Sequence, residues 1–86
     1  MRYRLLPHAR EQMEERDIPL ELVEQVLEHP EQIILQENGR KVYQSIVRLP
    51  SGARQLLRLI VIERDRLIVV TVYSTSQIRR YWRDEE

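Results

Sequence analysis

Residues 41–74 hold three stretches of strand-like periodicity separated by turns of only a few residues, and this pattern limits the folds open to the chain. Lys41 to Leu49 alternates. Val42, Gln44, Ile46 and Arg48 share one face, and Tyr43, Ser45, Val47 and Leu49 share the other. Pro50-Ser51-Gly52 marks a turn, after which Gln55 to Glu63 is nearly continuous aliphatic chain interrupted by Arg58. A run of this kind suits a central strand covered on both faces. Arg64-Asp65-Arg66 turns again into a second central strand, Leu67 to Ser74. Connections this short close antiparallel hairpins and cannot carry the crossover that a parallel pair needs. Upstream, Gln32 to Gln36 reads as a further strand, and Asn38-Gly39 gives the strongest two-residue turn signal. The expectation is an antiparallel meander of about four strands.

The first third is helical in pattern. Tyr3 to Leu6 reads as a short strand ended by Pro7, which suits the first turn of a helix running to Arg16. Ala9, Met13 and Arg16 fall on one side of that helix, with His8, Gln12 and Glu15 beside them. Asp17-Ile18-Pro19 interrupts it, because Pro19 disfavours helical geometry at Ile18 and has no backbone N–H. A second helix runs from Pro19 to about Glu28 with Leu20, Val23 and Leu27 on one stripe, and His29-Pro30 ends it. The fold class is α+β: an N-terminal helical hairpin packed on the meander, one domain over residues 1–86.

The net charge of zero conceals a division. Residues 7–32 carry eight carboxylates against two arginines, whereas residues 40–83 carry ten basic side chains against Glu63 and Asp65. All but Lys41 of the basic residues are arginine, whose planar fork holds phosphate oxygens in pairs and stacks on bases. A clustered field of one sign steers oppositely charged partners. The chain has no cysteine, which excludes disulfides, thiolate zinc sites and cysteine nucleophiles. It has no long apolar run, so no membrane partner is expected, and the start breaks too early for a signal peptide; a cytoplasmic location is the expectation.

Few side chains offer chemistry. Arg58, between Leu57 and Leu59, either snorkels or pairs with a helix glutamate, or else faces an open groove and binds phosphate. His8 can transfer protons near neutral pH or merely hydrogen-bond the adjoining backbone. His29 reads as a helix C-cap. Tyr73 ends a buried strand, where its phenol donates to a phosphate or closes the core. Arg79, Arg80 and Arg83 interleave with Tyr81 and Trp82, a combination that grips single-stranded nucleic acid or forms a protein–protein hot spot. The two histidines lack the spacing of a metal site, so neither metal nor cofactor is expected.

His8-Ala9-x-x-x-Met13-x-x-Arg16-x-Ile18, Val23-x-x-Val26-Leu27-x-x-Pro30 and Val70-Thr71-Val72-Tyr73 together resemble the family called domain of unknown function 4258. Such proteins are similar to BrnT and RelE/ParE-like toxins. The resemblance implies a helical hairpin on an antiparallel sheet, a metal-independent ribonuclease activity and a small antitoxin partner. It also implies that His8 and Arg16 matter most, then Tyr73. On that footing the chain is expected to be a toxin-like ribonuclease, or an RNA-binding domain derived from one, that cleaves through the RNA's own 2′-hydroxyl. His8 transfers the proton, Arg16 and Arg58 stabilise the phosphorane, and Tyr73 orients the phosphate or protonates the leaving oxygen. Arg40, Lys41, Arg79, Arg80 and Tyr81 track the RNA. The alternative is a noncatalytic module that pairs with an antitoxin or another protein, or self-associates through a strand edge or the Tyr81-Trp82 tail as a homodimer.

Overall fold

A computed structural model describes residues 2–84. In chain order the elements are β1 (Tyr3–Leu5), α1 (Pro7–Glu15), α2 (Leu20–Glu28), β2 (Gln32–Leu35), β3 (Lys41–Arg48), β4 (Arg54–Glu63), β5 (Leu67–Thr75) and α3 (Ile78–Tyr81). They form one five-stranded sheet in the order β1-β5-β4-β3-β2, with α1 and α2 on one face. The meander from β2 to β5 is antiparallel, as its short turns require. The sheet as a whole is mixed, because β1 pairs in parallel with β5. That fifth strand corrects the expectation of four. Its parallel sense is open to it because the whole intervening chain supplies the return path.

Local chemistry explains the helices. Pro7 occupies the first turn of α1, and Ala9 and Met13 are its buried positions. The helix stops through its own C-terminal geometry: Asp17 sits at φ 54°, and the Ile18 N–H donates to the Met13 carbonyl at 2.9 Å. This left-handed cap turns Ile18 inward, where it is buried. Pro19 then adopts extended geometry as the cap of α2, whose Val23, Val26 and Leu27 enter the core. The helical hairpin of the sequence reading is looser than expected. α1 packs against β5 and α2 against β3 and β4, so each helix docks on the sheet rather than on its neighbour.

The main core lies between these helices and the sheet, where Ala9, Val23 and Val26 meet Leu57, Leu59, Val61, Val69 and Val72. The register slips between Ile60 and Val61, leaving Val70 as the extra residue in β5. This bulge lets Val69 and Val72, three residues apart, both face the helices. The opposite face is covered at its centre too: Leu56 and Val42 are fully buried there, on the side to which α3 returns. No helix among the described residues is long and apolar enough to cross a membrane.

A candidate anion-binding face

Residues directly opposite one another in a sheet share a face. The register pairs Gln32 with Gln44, Gln44 with Arg58, and Arg58 with Tyr73, so four polar side chains form one row across β2, β3, β4 and β5. This row lies on the face away from α1 and α2. Arg58 Nε donates to Gln44 Oε1 at 2.9 Å, and Arg58 Nη1 donates to the Tyr73 hydroxyl. Gln44 Nε2 in turn donates to Gln32 Oε1 at 2.7 Å and to the Tyr81 carbonyl at 3.2 Å. The Gln32 amide closes the chain on the Arg83 backbone, accepting from its N–H at 3.0 Å and donating to its carbonyl. The relay thus straps the C-terminal segment across the sheet.

The result is a buried cation with no carboxylate within 4 Å among the described residues. Arg58 is 8% exposed and Gln44 is fully buried. Among the described residues the one cation–carboxylate pair within 4 Å is Lys41–Glu63. The Arg58 guanidinium is held instead by neutral oxygens and by two aromatic faces, with its Cζ 4.3 Å from the Tyr81 ring centroid and 5.5 Å from that of Tyr73. Arginine keeps its proton in proteins, so neutral partners satisfy its N–H groups without cancelling its charge. No buried side-chain nitrogen or oxygen lacks a partner among the described residues.

More arginines surround it. Arg48 and Arg54 share the sheet face of Arg58, and α3 with the tail adds Arg79, Arg80 and Arg83. Arg80 also lies over the Tyr81 ring, at 5.4 Å. Arg58 and Arg83 line a groove of about 490 Å³ beside β2, together with Ile34, Leu35, Glu37 and Val42.

The structure gathers some of the sequence candidates and separates others. Arg58, Tyr73, Arg79, Arg80 and Tyr81 belong to this face. His8 is exposed in the first turn of α1, and Arg16 is exposed at its C-terminal cap, both in the layer across the sheet. Neither makes a side-chain hydrogen bond to Arg58 or Tyr73, so the four candidate catalytic residues are not one cluster. The reason is that α1 must bury Ala9 and Met13 against the far face of the sheet. Lys41 and Arg40 also lie apart. Lys41 Nζ is 2.8 Å from Glu63 Oε1, and Arg40 belongs to the Asn38-Gly39 turn, where its N–H donates to Asn38 Oδ1.

Glu63 additionally accepts from the Tyr43 hydroxyl. Burial, then the bond to Glu63, pushes the Tyr43 phenol up to about 12. The hydrogen bonds from Lys41 and then Tyr43 hold the Glu63 carboxyl below its ordinary value. Sequence reasoning missed Gln32 and Gln44. The available signal was a glutamine alternating in phase with Val42 and Ile46, one hairpin away from an arginine in the same apolar layer. Among the described residues no three His, Asp or Glu side chains gather as a metal ion requires.

No curated protein matches the chain, and no solved structure matches it. A family model described as domain of unknown function (DUF4258) matches residues 5–74, which takes in Arg58 and Tyr73 and ends before α3. The chain therefore belongs to the DUF4258 family.

Proposed function

We propose that this protein is a toxin-like RNA-binding protein that holds the RNA phosphates on the arginine face. The observation that carries this reading is the Arg58 guanidinium, buried with no described carboxylate within 4 Å, although Glu37 lines the same groove, and backed by Tyr73 and Tyr81. A cation fixed in a partly desolvated site acts on a nearby anion through less screening than one on a free surface chain. Arg79, Arg80 and Arg83 extend that field along the tail, and the Tyr81 ring adds an aromatic surface of the kind on which bases stack.

Binding, rather than cleavage, is the function favoured by the geometry. Attack by a 2′-hydroxyl needs a proton-transfer group beside the phosphate, and His8 is carried by the other layer. Tyr73 is the hydroxyl that accompanies Arg58. The partner implied in a toxin–antitoxin setting is a small antitoxin whose acidic segment competes for the same arginines.

Fluorescence anisotropy with a labelled single-stranded RNA oligonucleotide tests this. The wild type is expected to bind with a strong salt dependence. Replacing Arg79 and Arg80 by alanine should reduce the log–log salt slope by roughly 0.7 for each arginine, while Arg16→Ala leaves it unchanged. Equal losses from Arg16→Ala and from the α3 variant, or no binding by the wild type, refute the assignment.

A further inference from the structure

The two edges of the sheet are built differently. At the β1 edge the terminal strand has only three residues, with exposed Arg2 and Arg4, and the Gln12 side chain accepts the free N–H of Val72 at 2.9 Å. Short strands, charges and covering side chains are the usual devices against edge-to-edge association. The β2 edge is also short, at four residues, but between Gln32 and Leu35 it carries no charged side chain. Its Ile33 and Leu35 are 50% and 69% exposed.

The hydrogen-bond phase of β2 makes this edge self-complementary. Gln36 N donates to the Arg40 carbonyl at 2.8 Å, which fixes the even-numbered residues of the strand as those bonded inward to β3. The N–H and C=O groups of Ile33 and Leu35 consequently point outward. We propose that the β2 edge pairs antiparallel with the β2 edge of a second copy, about a two-fold axis at Ile34. This register sets Ile33 of one copy opposite Leu35 of the other, and every outward N–H and C=O of both residues gains a partner. It also lays the exposed Ile33 and Leu35 side chains against each other on the helix side. Parity is satisfied: residues that face each other lie on equivalent faces, so the helices of both copies stay on one side.

Charge at the ends of this register is mixed: Glu37 of the second copy falls at the level of Glu31, and Arg83 lines grooves beside both carboxylates of its own copy. Arg83 is fixed beside Gln32 through its backbone, and Gln32 meets Gln36 of the second copy, next to Glu37. The two-fold axis repeats this Arg83–Glu37 juxtaposition. Glu31 terminates the interface, since its own N–H turns inward to the Gln44 carbonyl at 3.1 Å, breaking the alternation just before β2, and its Oε1 accepts the Ile46 N–H at 2.6 Å. The dimer is a continuous sheet with both arginine faces on the same side. Its existence does not depend on RNA binding, and its test contains no RNA.

Sedimentation velocity across a concentration series, with oxidative cross-linking, tests the pairing. The wild type is expected to show a concentration-dependent dimer, and Ile33→Lys should weaken it by about tenfold or more while leaving the circular dichroism unchanged. The chain has no cysteine, so Ile34→Cys introduces a single thiol. It should cross-link to itself across the axis, whereas Glu21→Cys, on the exposed side of α2, should not. A wild type that stays monomeric at concentrations on the order of 1 mM overturns the proposal, as does a dimer indifferent to Ile33→Lys. Monomeric behaviour relieved only by an unrelated strand-forming protein would also overturn it.

Discussion

Arg58 shows how a charged side chain is tolerated in the most apolar strand of a small protein. Removing a cation from water is costly unless its donors are satisfied, and two of its nitrogens here meet Gln44 and Tyr73. Gln44 is the hub, because it links Arg58 to Gln32 and to the Tyr81 carbonyl. Gln44→Leu conserves approximate volume but strands the Arg58 Nε and loosens the tail. Urea unfolding should show a loss of about 2–4 kcal/mol, well above what an ordinary exposed glutamine would cost.

A second residue-scale outcome concerns pH. Tyr43 holds its proton up to about 12 in the folded chain, against an ordinary 10.0. The folded state therefore binds this proton more tightly than the unfolded one. The resulting stabilisation is complete below pH 10 and disappears as the pH rises towards 12, with an upper limit of about 3 kcal/mol. Unfolding measured between pH 9 and 12, compared with Tyr43→Phe, should show this alkaline loss in the wild type and a flatter profile in the variant. Glu63 works in the opposite direction. Its lowered carboxyl stabilises the fold above the usual carboxylate range and ceases to do so in acid.

At the scale of elements, the end of α1 is decided by one backbone angle. Asp17 occupies left-handed geometry at φ 54° without a glycine's freedom. Asp17→Gly should stabilise the protein by about 0.5–1 kcal/mol in thermal or urea unfolding, since it relieves the strained position while retaining the Ile18 contact. The helices and the four meander strands were legible in the sequence because each has a strong local period and a turn residue at its end. Gly39 and Gly52, both at positive φ, sit in the turns that Asn38-Gly39 and Pro50-Ser51-Gly52 announced. The parallel pairing of β1 was not legible, since a three-residue strand carries no period and its partner lies more than sixty residues away. Nor was α3, whose four residues read as composition rather than as an element. Of the candidate site, Arg58 and Tyr73 could be named individually. Their union depended on register across β4 and β5, which no local pattern encodes.

For the whole molecule, the division of charge along the chain becomes a division between faces. The glutamates of α1 and α2 lie on one side of a body whose Cα extents are 35 × 34 × 20 Å, and the arginines around Arg58 lie on the other. A thickness of 20 Å exceeds the Debye length of about 8 Å at physiological salt, so the acidic layer repels a polyanion on the arginine face only weakly. This is how a chain with no net charge can still present a strongly cationic surface. The measurement that addresses the claim most directly is amide chemical-shift mapping of the isotope-labelled protein during titration with a single-stranded RNA oligonucleotide. Perturbations should concentrate at Gln32, Gln44, Arg58, Tyr73 and residues 79–83, with α1 silent. Shifts centred on His8 and Arg16, or none at saturating RNA, would contradict the account.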